Sequence, residues 1–381
     1  MTSAAAEALD EAYERLHVTG PEFGGSLSNH GPMAAEAMVR GGHGELVGSW
    51  LDGYMRRLED FPRGLGPIGA DWQAALGDPR RIADWTAFFG RQIGEQPWRQ
   101  LLNTWWPRLL PGVAAAATHG VIRVGHAVRA LQQDGDDDSH IAELAHGLAY
   151  WAARWQTVPA GHAAAQAGPA AAGADHAAAA ADYAAAAAAG TVQAVTPLES
   201  LAAVPRIAEQ SGGVGDRLAR LGDLPGWPPA LVGSSVPAEP EQIQGLLAGL
   251  VDAATLRYLF YGHGNGVMLV HSATAPNAVL RTLPALDAGL WPPSLAAAWT
   301  ASSALTAVYA PAEPAPRAQL PGLFAGQGSR EETARDAFAR AVEHGDEHVI
   351  KFADTAVEVF ARTGEPDAIV AVFRAIELIE P

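Results

Sequence analysis

The 381-residue sequence contains no cysteine. That removes disulfides, zinc–thiolate sites, iron–sulfur clusters and thiol nucleophiles together. Any metal must be held by imidazole, carboxylate or a rarer ligand. Positive charge is scarce and nearly all of one kind: among 25 lysines and arginines, Lys351 is the only lysine. The formal net charge is −17, and no basic run occurs. Such a surface repels nucleic acid and anionic lipid, so neither is an expected partner. No stretch holds the ~20 uninterrupted apolar residues of a membrane span. The Ala-rich run at 177–189, for instance, contains Asp182 and Tyr183. The first residues, MTSAAAEALDEAYERL, are acidic and amphipathic rather than basic and then apolar. A secretory signal is not expected, and a cytoplasmic protein is.

Apolar residues make up 49% and charged ones 18%, the balance of a folded globular chain. Helical spacing dominates. Leu9, Tyr13 and Leu16 share a face of a first short helix. Asn29 or Ser28 is placed to cap a second, through Met33, Ala37 and Met38, ending at Gly41-Gly42. Further helices are expected over 44–59, 80–94, 97–106 (kinked or ended by Pro107), 113–132 and 138–156. Residues 159–195 are mostly Ala and Gly, a low-complexity insert with a helix near 174–189. Helices resume over 240–259, 266–281 (disturbed by Pro276) and 292–309. A Pro-rich connection covers 310–327. Ser329 and Glu332 form a capping box opening a helix to about Glu343. Gly345 ends it, Asp346 caps 347–362, Gly364 ends that one, and 366–379 is the last. Strand-like alternation is scarce. The expected fold is all-α: one large multi-helix domain over 1–381 with an Ala-rich insert.

Thirteen histidines are present. A histidine with no special role is the ordinary case. His17, His43, His140, His162, His176, His263 and His344 lie in polar, Gly-rich or low-complexity settings and read as solvated. His30, His119, His126, His146, His271 and His348 interrupt apolar or turn segments instead, where a neutral imidazole needs a partner or a metal. His348 and Lys351 are three residues apart, so both project from one helix face. His119 and His126 are seven apart, about 10.5 Å along a helix axis. One ion hardly takes both directly, since metal–nitrogen distances are near ~2.1 Å. The candidate ligands are therefore His30, one of His119 and His126, His271 and His348, with Lys351. Lysine binds metal poorly as an ammonium, but its buried neutral amine can take up carbon dioxide and act as a carboxylate. Such a set suits iron or manganese better than calcium. Against this stands the plain alternative of a surface lysine on an amphipathic helix.

The segments SNHGPMAAEAM (28–38), THGVIRVGHAVRAL (118–131), ELAHGLAYWAAR (143–154), HSATAPNAVLRTLP (271–284) and DEHVIKFADT (346–355) resemble the questin oxidase family and follow its order. The resemblance implies oxygen-dependent ring opening of anthraquinone-type aromatic polyketides. It implies a mononuclear non-haem Fe(II) held by histidines and a carboxylated lysine. Carried over by position, the metal residues are His30, His119, His271, His348 and Lys351, with His119 preferred to His126. His126, His146 and Arg123 are then the candidate catalytic residues. Arg123 and Arg129 could meet a substrate phenolate or carboxylate, or form ordinary salt bridges. Glu36, Glu347 and Asp354 could orient imidazoles. Trp105, Trp106, Tyr150 and Trp151 could line a flat aromatic pocket or be simple core. The implied partners are a small aromatic substrate and dioxygen. NADPH is an external reductant associated with such oxidations. GHGNG (262–266) follows a helical pattern, so it is not a dinucleotide fingerprint. Two other readings stay open at this point: a hydrolase whose carboxylated lysine bridges two metals, and a helical binding protein with no metal.

Overall fold

The computed structural model describes residues 3–159, 196–229, 239–322 and 328–381. The Ala-rich helix expected near 174–189 lies outside these residues, as do His162 and His176. The architecture is all-α, with one hairpin of two-residue strands among the described residues. Helix α1 (Ser3–His17) buries Leu9, Tyr13 and Leu16, the face that the spacing indicates. The hairpin β1 (Glu22–Phe23) and β2 (Leu27–Ser28) turns through Gly24 and Gly25. It leads into α2 (Gly31–Arg40), buried over almost its whole length. The cap of α2 differs from expectation. His30, not Asn29 or Ser28, holds the cap position. Asn29 instead accepts the Gly31 N–H through Oδ1 at 2.9 Å. This frees the His30 ring to point elsewhere.

Next come α3 (Gly44–Tyr54), α4 (Ile82–Glu95) and α5 (Trp98–Leu109). Pro107 does not end α5; the helix continues through it to Leu109. The helix expected from 113 starts later, because Ala116, Ala117 and Thr118 adopt left-handed φ of 47°, 55° and 74°. Three consecutive non-glycine residues in that region cannot belong to a right-handed helix. As a result α6 (His119–Gln133) begins at a histidine. α7 (Asp138–Ala153) follows, then α8 (Pro197–Ala203), α9 (Val214–Ala219) and α10 (Pro240–Tyr261). The segment expected as one helix over 266–281 is two: α11 (Gly266–Leu269) and α12 (His271–Thr282), with Pro276 accommodated inside the second. α13 (Trp291–Tyr309), α14 (Arg330–His344), α15 (Glu347–Thr363) and α16 (Asp367–Leu378) complete the chain. The Ser329–Glu332 capping box and the Asp346 cap both form, and Gly345 and Gly364 close their helices at φ of 86° and 74°.

One apolar core runs from α1 to α16, with a smaller cluster between α10, α14, α15 and α16. Trp105, Trp106, Tyr150 and Trp151 are buried in the larger one, so they are core. Helix α10 and the turn after it are long and apolar enough to cross a membrane by length and composition. Yet α10 packs against α8, α12, α13, α15 and α16, the surroundings of a core helix. Four helices form a closed ring at the centre: α2 packs on α6, α6 on α12, α12 on α15, and α15 back on α2. The α6–α12 crossing is tight because of Gly125, where a Cβ would lie 2.5 Å from the Cβ of Ala278.

Candidate metal centre

Each helix of the central ring carries one histidine at its N-terminal end. His30 caps α2, His119 and His271 open α6 and α12, and His348 is the second residue of α15. Side chains in a first turn lean back past the helix N-terminus, so four such ends can aim four rings at one point. They do. The four imidazoles offer ligand atoms that all lie within 4.8 Å of one another. His119 Nε2 is 2.6 Å from His30 Nε2 and 2.9 Å from His271 Nε2.

The outer nitrogens decide what these short contacts mean. His119 Nδ1 faces the Ala116 carbonyl, which only accepts. His271 Nδ1 faces the Met268 carbonyl at 3.3 Å, and His30 Nδ1 faces Glu347 Oε1 at 3.2 Å. In each ring Nδ1 therefore carries the proton and Nε2 keeps its lone pair. Three lone pairs then converge with no proton between them. That arrangement is repulsive by itself and is relieved by a cation. The left-handed turn at Ala116–Thr118 has a purpose in this geometry, since it presents the Ala116 carbonyl to the His119 ring.

Burial adds to the effect. His30, His119 and His271 are buried, and desolvation holds each well below the ordinary imidazole range, reinforced by neighbouring positive groups. These rings stay neutral, as metal ligands must be. Lys351 lies one turn beyond His348 at 1% exposure, and its Nζ has no hydrogen-bond partner. Burial pulls it down to about 7, opposed by Glu347 and Asp346. Its charge is felt at His30, His119 and His271, so it belongs to the same electrostatic site. An orphaned buried amine beside three lone pairs fits a ligand role, and the donor set as a whole fits a transition-metal ion.

Glu347 is the one acid among the three expected that orients a ring of this cluster. It holds His30 through Oε1 and is itself held by Arg57 at 2.5 Å. Tyr54 accepts the His30 backbone N–H at 2.6 Å. Glu36 and Asp354 serve a different layer. Glu36 meets His126 Nδ1 at 2.8 Å and receives Arg129 and Arg40. Asp354 receives Arg129 at 3.0 Å and Arg281 at 2.7 Å. Glu358 receives Arg129 and Asn277. This buried network joins α2, α6, α12 and α15, the same four helices. His126 is thus in the layer beneath the cluster, grouped with Glu36 and Asp354, whereas His119 is one of the four converging rings.

Arg123 makes two bonds to Glu143, at 2.6 and 2.8 Å, and His17 adds a third at 2.9 Å. Burial pushes Glu143 up, but Arg123 outweighs it and holds the carboxyl down to about 2. His146 stacks on the His17 ring with centroids 4.2 Å apart, and burial pulls it down to about 3. Arg123, His126 and His146 all stand outside the four-imidazole cluster. Four histidines read as solvated are not fully so: His140 is wholly buried, His17 is partly buried against Glu143, His43 is partly buried against the Phe338 ring, and His344 is partly buried with Nε2 3.0 Å from the Ile379 carbonyl. Glu143, Asn277 and Arg281 lie within the quoted segments but are not singled out there, and Arg57, Tyr54 and Glu358 carry no motif that marks them in the sequence.

The questin oxidase-like family profile matches residues 54–356. The chain belongs to the questin oxidase-like family. The match covers His119, His271, His348 and Lys351; the SNHGPMAAEAM segment with His30 precedes it, and the geometry joins His30 to the other rings. No curated protein and no solved structure matches this questin oxidase-like chain. The family's description points to an oxidase, acting on a small molecule with oxygen.

Proposed function

We propose that this protein is a non-haem iron oxygenase that cleaves a C–C bond in an anthraquinone-type or related aromatic polyketide, opening a ring next to a carbonyl. The observation that carries the reading is the convergence of three Nε2 lone pairs with the His348 ring, inside a questin oxidase-like chain, with the buried, unpartnered Lys351 amine felt electrostatically at three of the rings. Iron bound there would supply activation of dioxygen. His30, His119, His271 and His348 would hold it. Lys351 would add an oxygen ligand by carboxylation: its neutral amine bonds the carbon of carbon dioxide and releases a proton. Glu347 keeps the His30 proton on Nδ1, and the carbonyls of Ala116 and Met268 do the same for His119 and His271. The burial of all four rings keeps bulk water from the reacting centre. In this reading Arg123, His126 and His146 act through Glu143, Glu36 and His17 on the surroundings, not on the metal.

The hydrolase alternative needs ligands for a second ion next to the first. Asp346, Glu347 and His348 present such donors, with ligand atoms within 4.8 Å of one another, but both carboxylates also have other work. Glu347 holds His30 and Arg57, and Asp346 caps α15 through the N–H groups of His348 and Val349. The two readings differ in metal count: the hydrolase needs two ions per chain and the oxygenase one.

The test is oxygen uptake by metal-free protein reloaded with Fe(II) under anaerobic conditions, then given a panel of hydroxyanthraquinones and their hydroquinones in air. The expected result is substrate-dependent uptake with a ring-opened acid carrying label from ¹⁸O₂. His271→Ala and zinc-loaded protein should show neither. Uptake that persists in metal-free protein would sink the proposal.

A further inference from the structure

A second group of metal-type donors lies where α1 meets the start of α7. Asp10, Asp137 and His140 each present one ligand atom, and the three atoms lie within 4.8 Å of one another. None of them belongs to the four-imidazole cluster. Their sequence setting, DGDDDS at 134–139, looks like a solvated acidic loop, but its acids have different fates. Asp134 is bound by Arg40, and Asp136 accepts from Trp98 Nε1 at 2.8 Å. Asp137 sits at the N-cap of α7, where an aspartate normally accepts a backbone N–H, yet its side chain caps nothing.

His140 supplies the independent observation. It is 0% exposed. Its Nδ1 faces the Gly135 carbonyl at 3.3 Å, so that nitrogen carries the proton. Its Nε2 is then a buried lone pair without a hydrogen-bond partner, 3.5 Å from Asp10 Oδ1. The edge-on contact with Tyr13, centroids 5.7 Å apart, sets the plane of the ring. Two carboxylates and an imidazole lone pair thus face one another, and the Ser139 hydroxyl donates to Oδ1 of Asp10 alone. A buried unpaired nitrogen is costly. A cation satisfies all three acceptors at once.

We propose that Asp10, Asp137 and His140 form a second, structural site for a divalent transition-metal ion that ties α1 to α7. Two carboxylate oxygens and one neutral imidazole suit Zn²⁺ or Mn²⁺; Ca²⁺ takes an all-oxygen shell. Asp10 and Asp137 reach solvent, so water completes the coordination. The site would pin the helix that buries Leu9, Tyr13 and Leu16 and that delivers His17 to Glu143. It stands independently of the oxygenase reading.

The test titrates Zn²⁺ into metal-free full-length protein, reading bound equivalents by calorimetry and elemental analysis. Asp137→Asn and Asp10→Asn should each bind one equivalent fewer than wild type, whatever the buried cluster holds. His271→Ala should keep a Zn²⁺-dependent rise in Tm that the double variant His271→Ala/Asp137→Asn lacks. Both surface substitutions leave the core untouched, so a folding failure is not expected to cloud the comparison. Equal stoichiometry in wild type, Asp10→Asn and Asp137→Asn would overturn the proposal, and would mean that a proton between His140 and Asp10 takes the metal's place.

Discussion

At the scale of single residues, Lys351 couples the site to pH. Its ordinary value of 10.5 is lowered to about 7 by burial. Between those values the unfolded chain binds a proton that the folded chain does not, so stability rises with pH across that window. The penalty is fully present below about 7 and disappears above 10.5. Its size is on the order of 5 kcal/mol. Metal-free wild type should therefore gain Tm from pH 7 to pH 9, while Lys351→Met should be more stable at pH 7 and lose most of that slope. Parallel slopes for the two proteins in thermal melts would contradict a desolvated amine. Glu347 is the second residue with a sharp consequence. Glu347→Gln weakens its grip on the His30 proton and on Arg57, so metal affinity should fall about 10–100-fold with the fold retained. Competition with a chromophoric chelator reads this directly; unchanged affinity would remove Glu347 from the site. Much of this is legible in the sequence. Lys351 stands out by being alone, and its three-residue spacing from His348 places both on one face. The burial of His140 is not legible, because it depends on Tyr13, which comes from a different helix.

At the scale of helices, a regularity links the two polar layers. Counting from each site histidine, polar partners recur six or seven and ten residues on: Glu36 and Arg40, His126 and Arg129, Asn277 and Arg281, Asp354 and Glu358. At 1.5 Å per residue these lie roughly 9–15 Å down each helix. The four helices must then run in the same sense from the histidine end, with an ionic layer beneath the imidazole layer. This signal is present in the sequence, but no single helix displays it; it appears only when the four are aligned on their histidines. Removing its central cation leaves Glu36, Asp354 and Glu358 short of a partner. Arg129→Met should cost ~3–5 kcal/mol in urea unfolding, whereas loss of the exposed cap in Ser329→Ala should cost about 1 kcal/mol. Gly125→Ala tests the ring in another way. The added methyl would meet Ala278 at the α6–α12 crossing and push His119 from His271. Metal affinity should drop although Gly125 touches no ligand; full affinity would show that the crossing does not set the site. The late start of α6 belongs to this scale too. Alanines at 114–117 favour helix by propensity, and the left-handed turn that overrides them rests on tertiary contacts that propensity does not contain.

At the scale of the whole molecule, the remaining helices hold a ring of four against one another. Apolar periodicity makes the all-α class legible and locates most helices to within a few residues. It cannot show that four segments separated by up to 318 positions, from His30 to His348, meet at one point. The resemblance to questin oxidases supplies that expectation, and convergence of the rings gives it a physical basis. Most direct of all is a crystal structure of protein grown with iron, with anomalous data collected on both sides of the iron edge. One iron peak is expected at ~2.1 Å from Nε2 of His30, His119 and His271, with the His348 ring and the Lys351 side chain alongside it. Absence of iron from that point, with the three Nε2 atoms hydrogen-bonded to water or to one another, would contradict a four-imidazole iron site.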